Sequence, residues 1–160
     1  MALTMTPRLL RHLMSWWPPY RGAGIRVVAI SEDWCHIRVE LRARLRNRNY
    51  FGTHFGGSLY AMADPFYVLM LHHVLGRDYL IWNQGAEIEF LRPGRGTVSA
   101  EFHLDRHQIE RLRREAADGT KLLPEFVVEI KDAGGEPVAR VRERLYVRLK
   151  PRARPGAAAG

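Results

Sequence analysis

The run from Gly57 to Leu75 constrains the fold of this chain more than any other segment. Its apolar residues cover most of the circumference of the predicted helix, which is typical of a helix surrounded by other structure. At about 1.5 Å per residue, a helix of this length measures about 28 Å, long enough to span a small domain. We therefore predict one long central helix wrapped by a sheet, and Gly76 fits the end of that helix.

Apolar runs on both sides of this helix predict strands. The clearest runs from His36 to Arg46, where apolar residues alternate with charged ones. Short helices are expected from Arg8 to Trp17 and from Arg106 to Ala117. The remaining predicted strands are Ile25–Ile30, Tyr79–Leu91, Thr97–Leu104, Phe126–Lys131 and Val138–Leu149. A strand pair, a buried helix and a meander of strands give an α+β order rather than a repeating βαβ order.

The length of 160 residues fits one domain, which we assign to residues 1–150. Residues 151–160 lack large apolar side chains, so they are predicted to form a disordered tail. The single cysteine, Cys35, excludes an internal disulfide and a cysteine-based metal cluster, and it suits a cytoplasmic location. No apolar run is long enough for a signal core or a membrane span, so a membrane is not an expected partner.

The formal net charge is +8, and most of the basic residues are arginines. Arginine binds phosphate groups in a bidentate manner, so this balance is compatible with coenzyme A and with nucleic acid. A solvated arginine-rich surface is the alternative interpretation. Nucleic-acid binding through the basic strand faces at 38–46 and 140–148 is disfavoured, because aromatic residues are not interleaved there as stacking platforms.

Asp64 lies inside the apolar helix, seven residues after Gly57. Burying an unpaired carboxylate is costly, so a carboxylate in this position is a candidate for catalysis. Pro65 removes one helical hydrogen bond and disfavours helical geometry in the preceding residue, which predicts a kink beside Asp64. The alternative is that Asp64 caps the second half of the helix.

The segment from Asn49 to Asp64 reads Asn-x-x-Gly-Thr-x-x-Gly-Gly, then six residues, then Asp. This pattern resembles a stretch of hotdog-fold acyl-CoA thioesterases of the PaaI-like type, and the similarity is closest to a branch of unassigned function. Residues 86–96 resemble the strand and Arg-Pro turn of such proteins. One position departs from the pattern: the family histidine before the Gly-Gly pair falls on Phe55, and His54 lies one residue early.

The resemblance implies a single hotdog domain, with an antiparallel sheet wrapped around one long central helix. It also implies an antiparallel homodimer, or a dimer of dimers forming a homotetramer. The sequence contains no Walker loop or dinucleotide-binding fingerprint, so no cofactor is expected. The expected reaction is hydrolysis of a thioester of coenzyme A or of an acyl-carrier protein. A non-catalytic acyl-CoA-binding hotdog protein is the alternative, motivated by Phe55 and Pro65.

Thioester hydrolysis needs a polarised carbonyl and a group that activates water. The first N–H groups of a helix can polarise the carbonyl, and we expect the Gly57 N–H to be the main donor, with Gly56 and Phe55 beside the substrate. The alternative is that the glycines only allow close packing of the helix. Two turns, about 11 Å, separate Gly57 from Asp64, so Asp64 would act as general base or nucleophile across a dimer interface.

Other residues of the pattern have two interpretations each. Asn49 either orients the attacking water or holds the loop in an Asx turn. His54 takes over the role of the displaced family histidine if that role is kept. Tyr60 and Tyr67 either line an acyl pocket or belong to the core.

Basic residues outside this segment were weighed for phosphate and metal binding. Arg92 and Arg95 flank a Pro-Gly turn, where they either contact the phosphates of coenzyme A or remain solvated. His72 and His73 point to different sides of the helix and lack a third ligand, so no metal site is predicted.

Overall fold

The computed structural model describes residues 5–153 of the chain. Six antiparallel strands form one sheet in the order β1-β2-β4-β5-β6-β3. The elements along the chain are α1 (Pro7–Trp16), α2 (Pro18–Ala23), β1 (Ile25–Ile30), β2 (His36–Arg42), α3 (Gly56–Ala61), α4 (Phe66–Leu75), β3 (Tyr79–Phe90), β4 (Thr97–His103), α5 (Arg106–Glu115), β5 (Glu125–Lys131) and β6 (Pro137–Leu149). The predicted α+β class, with an antiparallel sheet around a central helix, is confirmed.

The core lies between the inner face of the sheet and the central helix. Alternate residues of β2, β4, β5 and β6 are buried, as the period of a strand requires. The central helix contributes residues that are fully buried on several of its sides, which explains its apolar circumference. These fully buried residues are Phe66, Met70 and Leu71 in α4, and Met62 and Ala63 between α3 and α4.

The central helix is broken at Asp64–Pro65, where the sequence predicts a kink. Helix α3 ends at Ala61, and α4 begins at Phe66. A proline has no N–H to donate to the carbonyl four residues earlier, which is that of Ala61. The Tyr20 hydroxyl donates to this oxygen at 3.0 Å instead, so α2 supplies the hydrogen bond that the proline removes.

The structure differs from two expectations in the N-terminal third. Strand β2 ends at Arg42 instead of Arg46, because Leu45–Asn47 form a 3₁₀ turn. The Asn47 side chain holds this turn by donating to the carbonyls of Ala23 and Arg42. The second difference is a helix that the sequence did not predict, although the predicted helix from Arg8 to Trp17 agrees with α1.

Helix α2 begins at Pro18, directly after α1. A proline in the first turn of a helix removes no internal hydrogen bond, so the Pro-Pro pair starts a new helix here. In the predicted tail, Pro151–Ala153 form a 3₁₀ turn, and residues 154–160 lie outside the described residues. Within residues 5–153, no helix is both long and apolar enough to cross a membrane.

Replacing Tyr20 by phenylalanine tests the link between α2 and the helix break. The Tyr20→Phe variant should lose about 1–3 kcal/mol of unfolding free energy, because it leaves the Ala61 carbonyl without its donor. Urea denaturation measures the change. Tyr146→Phe is the matched control, since the Tyr146 ring stacks on Trp82 and its hydroxyl has no hydrogen-bond partner among the described residues. Equal stability of the two variants would contradict the assigned role.

Candidate functional site

The loop before the central helix is held by the side chain of Asn49. Its Oδ1 accepts from the N–H groups of Phe51 at 3.0 Å and Thr53 at 3.1 Å. Its Nδ2 donates to Thr53 Oγ1 at 2.9 Å and to the His54 carbonyl at 3.2 Å. All four contacts lie within the loop, so the structure gives Asn49 the geometry of an Asx turn. Its part in the reaction stays a prediction.

The Gly-Gly pair forms the start of α3, after Phe55. Within the described residues, the N–H groups of Gly56 and Gly57 have no acceptor, as expected for a first helical turn. A Cβ on Gly56 would lie 2.9 Å from the Phe90 ring, and one on Gly57 would meet the Phe55 ring. Both glycines therefore permit close approach, and two aromatic rings border the free donors.

His54 is buried and faces the Arg-Pro turn rather than solvent. Its Nε2 is 3.0 Å from the Gly96 carbonyl, and its backbone N–H donates to the Gly94 carbonyl at 3.0 Å. Burial lowers the pKa of the imidazole, which disfavours the charged form near neutral pH. In this geometry His54 joins the loop to the turn, and a role in substrate binding stays a prediction.

The two arginines of that turn have different surroundings. Arg92 donates to the Pro137 carbonyl at 3.0 Å and to the Asp132 carboxylate at 2.8 Å, which ties the turn to the β5–β6 hairpin. Arg95 is exposed and has no carboxylate partner among the described residues. Arg95 is therefore the arginine of the pair that is available to a ligand without breaking a contact.

Asp64 lies in the break between α3 and α4, and its carboxylate is held by two donors. The Tyr60 hydroxyl donates to Oδ1 at 3.0 Å, and Asn83 Nδ2 donates to the same oxygen at 3.3 Å. No side chain caps the start of α4, so the capping alternative for Asp64 is not what the structure shows. Two neutral donors on one oxygen fix the carboxylate and leave Oδ2 without a partner among the described residues.

Regular pairing of strand β3 with β6 brings Asn83 to this position. Asn83 lies opposite the buried residue Leu145, so both side chains lie on the same face of the sheet. Glu143 lies two residues from Leu145 on β6 and therefore points to that face as well. A bulge in β3 follows directly after Asn83, since Gly85 lies opposite Arg144. Asn83 and Glu143 thus both lie on the sheet face that covers the helix.

Glu143 is the residue of the site that the sequence analysis missed. It is 0% exposed on β6, and neither of its carboxyl oxygens has a hydrogen-bond partner among the described residues. Its neighbours on the same face of β6 are the buried residues Val141 and Leu145. The sequence does contain a signal for it. Apolar residues alternate along β6, and position 143 is an acid at one of the positions where this alternation predicts a buried apolar residue.

Asp64 and Glu143 form a pair of interacting carboxyl groups, the carboxyl pair. Burial raises the pKa of Glu143 to about 8, and the negative charge of Asp64 adds to the effect. Burial is also the main cause that raises the pKa of the Tyr20 hydroxyl, and the charges of Asp64 and Glu143 add to it. The same causes raise the pKa of the Tyr60 hydroxyl to about 12. At neutral pH the Glu143 carboxyl is therefore protonated, and it can donate a hydrogen bond within the buried site.

Tyr67 lies in the core near the carboxyl pair. It is buried, its ring stacks on Phe126 at 4.6 Å, and its hydroxyl donates to the Val127 carbonyl at 3.2 Å. Burial, then the charge of Glu143, raises the pKa of its hydroxyl to about 12. The structure thus groups Tyr60 with Asp64 and places Tyr67 deeper in the core.

Gly57 and Asp64 lie at opposite ends of α3 within one chain. Seven residues of helix and turn separate them, or about 10 Å along the axis. The structure therefore gathers the predicted site residues into two groups: the helix start with its loop, and the break with the carboxyl pair.

A third polar cluster lies on the outer face of the sheet. His36 and His103 are opposite one another on β2 and β4, and Glu101 Oε2 lies 3.6 and 3.7 Å from their respective Nε2 atoms. These ligand atoms all lie within 4.8 Å of one another, so they could hold a divalent cation. Arg38 competes for the same carboxylate at 3.7 Å. No pattern in the sequence predicts this cluster, because the pairing of His36 with His103 depends on strand register.

Replacing Glu143 by glutamine tests the protonation of the carboxyl pair. The raised pKa means that the folded state holds a proton between about pH 4.5 and 8 that the unfolded state has lost. Stability of the wild type should therefore fall across this window by about 1.4 kcal/mol per pH unit, and it should level off above it. The Glu143→Gln variant should lack this fall.

Urea unfolding at several pH values measures this difference. Glu110→Gln on the exposed side of α5 is the control, and it should follow the wild type. A parallel pH dependence in wild type and Glu143→Gln would show that Glu143 does not hold the proton.

Solved structures share this fold over most of their length. PA5026 of Pseudomonas aeruginosa, a protein of unknown function described as a probable thioesterase, has a TM-score of 0.76 at 23% identity, with 89% of this chain and 95% of that chain covered. The thioesterase HI1161 of Haemophilus influenzae has a TM-score of 0.65 at 19% identity, covering 91% and 92%. The PaaI protein of the phenylacetic acid degradation operon of E. coli has a TM-score of 0.58 at 16% identity, covering 88% and 90%.

These similarities confirm the hotdog fold and the PaaI-like resemblance. No curated protein matches the sequence significantly. The model of one sequence family, described as a domain of unknown function (DUF4442), matches residues 6–147. The chain has a hotdog fold in which Asp64, in the break of the central helix, forms a carboxyl pair with Glu143 of β6, and it belongs to the DUF4442 family.

Proposed function

We propose that this protein hydrolyses the thioester bond of an acyl-CoA or of an acyl-carrier protein. The observation that carries the proposal is Asp64, a carboxylate held by Tyr60 and Asn83 in the break of a buried helix. Asp64 is half-buried, so its charge is partly desolvated, and a structural role alone does not require a carboxylate there. The names of the similar structures PA5026 and HI1161, which mention thioesterase activity, support the same reaction class.

In the proposed reaction, the thioester carbonyl oxygen accepts a hydrogen bond from the Gly57 N–H. Asp64 as general base removes a proton from water, and the hydroxide adds to the carbonyl carbon. The oxyanion is stabilised by the helix start, and its collapse breaks the C–S bond. Asp64 then gives its proton to the thiolate, which leaves as the free thiol. As nucleophile, Asp64 would instead form an acyl anhydride that water cleaves in a second step.

Glu143 supports this chemistry in its protonated form. With a pKa of about 8, it adds no second negative charge beside Asp64 at neutral pH. Two ionised carboxylates in one apolar site would repel each other and weaken binding of an anionic transition state. We propose that Glu143 is a positioning residue that keeps the pair at a single charge.

The proposed site is shared between two subunits. Strand β3 is an edge strand of the sheet, so its outer hydrogen-bonding groups are free to pair with another chain. Exposed apolar residues accompany this edge: Leu80, Trp82, Phe90 and Leu91. Pairing of two β3 strands about a two-fold axis would bring the helix start of one subunit toward the carboxyl pair of the other.

The first test is thiol release from a panel of short, long and aryl acyl-CoAs. The Asp64→Asn variant keeps the size of the side chain but cannot accept a proton, so turnover should fall at least a hundredfold. Asp78→Asn, an exposed aspartate beyond α4, is the matched control and should retain wild-type turnover. Equal turnover by Asp64→Asn and wild type would remove Asp64 from the mechanism.

Subunit complementation tests the shared site. Asp64→Asn and Gly57→Ala should each be inactive, the second because its methyl group lies beside the proposed donor. A mixture in which subunits exchange should recover about a quarter of wild-type activity, since half of the dimers are mixed and each holds one complete site. Native mass spectrometry confirms the exchange. Inactive mixed dimers of two inactive variants would show that Gly57 and Asp64 do not form one site across the interface.

A non-catalytic acyl-CoA-binding protein is the second candidate. The rings of Phe55 and Phe90 border the glycines where the thioester carbonyl would lie, and this observation favours it. Calorimetric binding of acyl-CoA without turnover on any member of the panel would select this function. Hydrolysis above the uncatalysed rate would exclude it.

A further inference from the structure

A cavity of about 370 Å³ lies where helices α1 and α2 meet strands β1 and β2. Its lining includes Trp16, His12 and Ser15, and no carboxylate belongs to it. The other polar side chains of the lining are six arginines: Arg11, Arg21, Arg26, Arg42, Arg44 and Arg46. We call it the arginine cavity. It lies at the β1 edge of the sheet, and β3 with the proposed thioester site forms the opposite edge.

Several elements contribute these arginines. Arg11 comes from α1, Arg21 from α2, Arg26 from β1 and Arg42 from β2, while Arg44 precedes the 3₁₀ turn and Arg46 lies within it. The loop conformation at Arg44 depends on Asn47, whose side chain accepts from the Arg44 N–H at 2.6 Å. The charges are therefore gathered by tertiary structure rather than by a basic run in the sequence.

Most of these arginines have no carboxylate partner. Arg42 is the exception, because it donates to Glu40 at 3.2 Å. Glu40 also lies opposite Arg26 in the β1–β2 pairing. The Glu40 carboxylate lies 3.7 Å from the guanidinium group of Arg38. Within residues 5–153, no carboxylate oxygen lies within 4.0 Å of Arg26, Arg44 or Arg46.

The remaining two arginines contact neutral groups. Arg11 donates to the Val28 carbonyl at 3.2 Å, and the Arg21 guanidinium lies 4.9 Å from the centre of the Trp16 ring. Like charges gathered around one cavity repel each other, and an anion with several oxygens offsets that repulsion. Planar guanidinium groups match phosphate oxygens in a bidentate manner, so a phosphate group fits the charge and the geometry of the donors.

The elements that line the cavity also carry exposed apolar side chains. Trp16, which lines the cavity, is 66% exposed, Trp17 and Leu13 are each 51% exposed, and Leu45, between two cavity arginines in the sequence, is 91% exposed. Trp16 and Trp17 follow Leu13 by three and four positions, at the end of α1. Tryptophan beside arginine is typical of surfaces that lie at the boundary between lipid headgroups and acyl chains.

We propose that the arginine cavity binds the phosphate group of a phosphate ester. The exposed apolar side chains at the end of α1 make an anionic phospholipid headgroup the favoured source, with Trp16, Trp17 and Leu13 entering the headgroup layer. This would be a contact at the membrane surface, and it opposes the sequence-based expectation that a membrane is no partner. A free phosphate ester is the other source of the same chemistry.

Two probes distinguish the sources. Co-sedimentation uses vesicles of phosphatidylglycerol and phosphatidylcholine in equal amounts, and vesicles of phosphatidylcholine alone. Calorimetry with inorganic pyrophosphate measures binding of a free phosphate anion. The cavity variant combines Arg44→Gln with Arg46→Gln, and its affinity for the bound probe should fall about tenfold or more.

The matched control carries Arg111→Gln with Arg114→Gln on α5, which lines no part of the cavity and loses the same net charge. Binding that requires phosphatidylglycerol and is lost only in the cavity variant would identify the lipid source, and Trp16→Ala should then also weaken it. Pyrophosphate binding with the same variant pattern, but without vesicle binding, would identify a free phosphate ester. Equal loss in both double variants would overturn the proposal, as would binding to neither probe. Binding to a single-stranded oligonucleotide alone would overturn it as well.

Discussion

The break of the central helix at Pro65 is the constraint on which the arrangement of the site depends. The proline removes the donor to the Ala61 carbonyl, and Tyr20 replaces it from a helix that precedes the sheet. Without the break, position 64 would continue a regular helix packed against the sheet. With it, the Asp64 carboxylate is held between Tyr60 on the helix and Asn83 on the sheet.

The two carboxyl groups of the pair would repel each other in the core if both were ionised, and protonation of Glu143 removes this repulsion. A buried ionised glutamate next to an aspartate would cost several kcal/mol, so the folded chain keeps Glu143 protonated. The surrounding tyrosines are neutral donors, and burial keeps them so. Stability and the proposed catalysis are thus linked, since both require the pair to hold a proton near neutral pH.

The two edges of the sheet carry different surfaces. The β3 edge is apolar, lies beside the carboxyl pair and suits a second copy of the chain. The β1 edge carries the arginine cavity and the exposed end of α1. Part of the net charge of +8 is therefore concentrated at the arginine cavity, between α1, α2, β1 and β2. A thioester substrate and a phosphate-bearing surface would be met at opposite edges of the protein.

The sequence by itself determined the order of the strands, the buried central helix and its break, because periodicity and proline chemistry act locally. It also singled out Asp64, since an acid in an apolar helix is visible without a structure. Tertiary structure alone decided the surroundings of Asp64: the pairing of β3 with β6 places Asn83 opposite Leu145 and faces Glu143 inward. It also decided that Asn49 and His54 hold the loop and that distant arginines share one cavity. These contacts join residues far apart in the chain, and register and packing, which set them, leave no local signal.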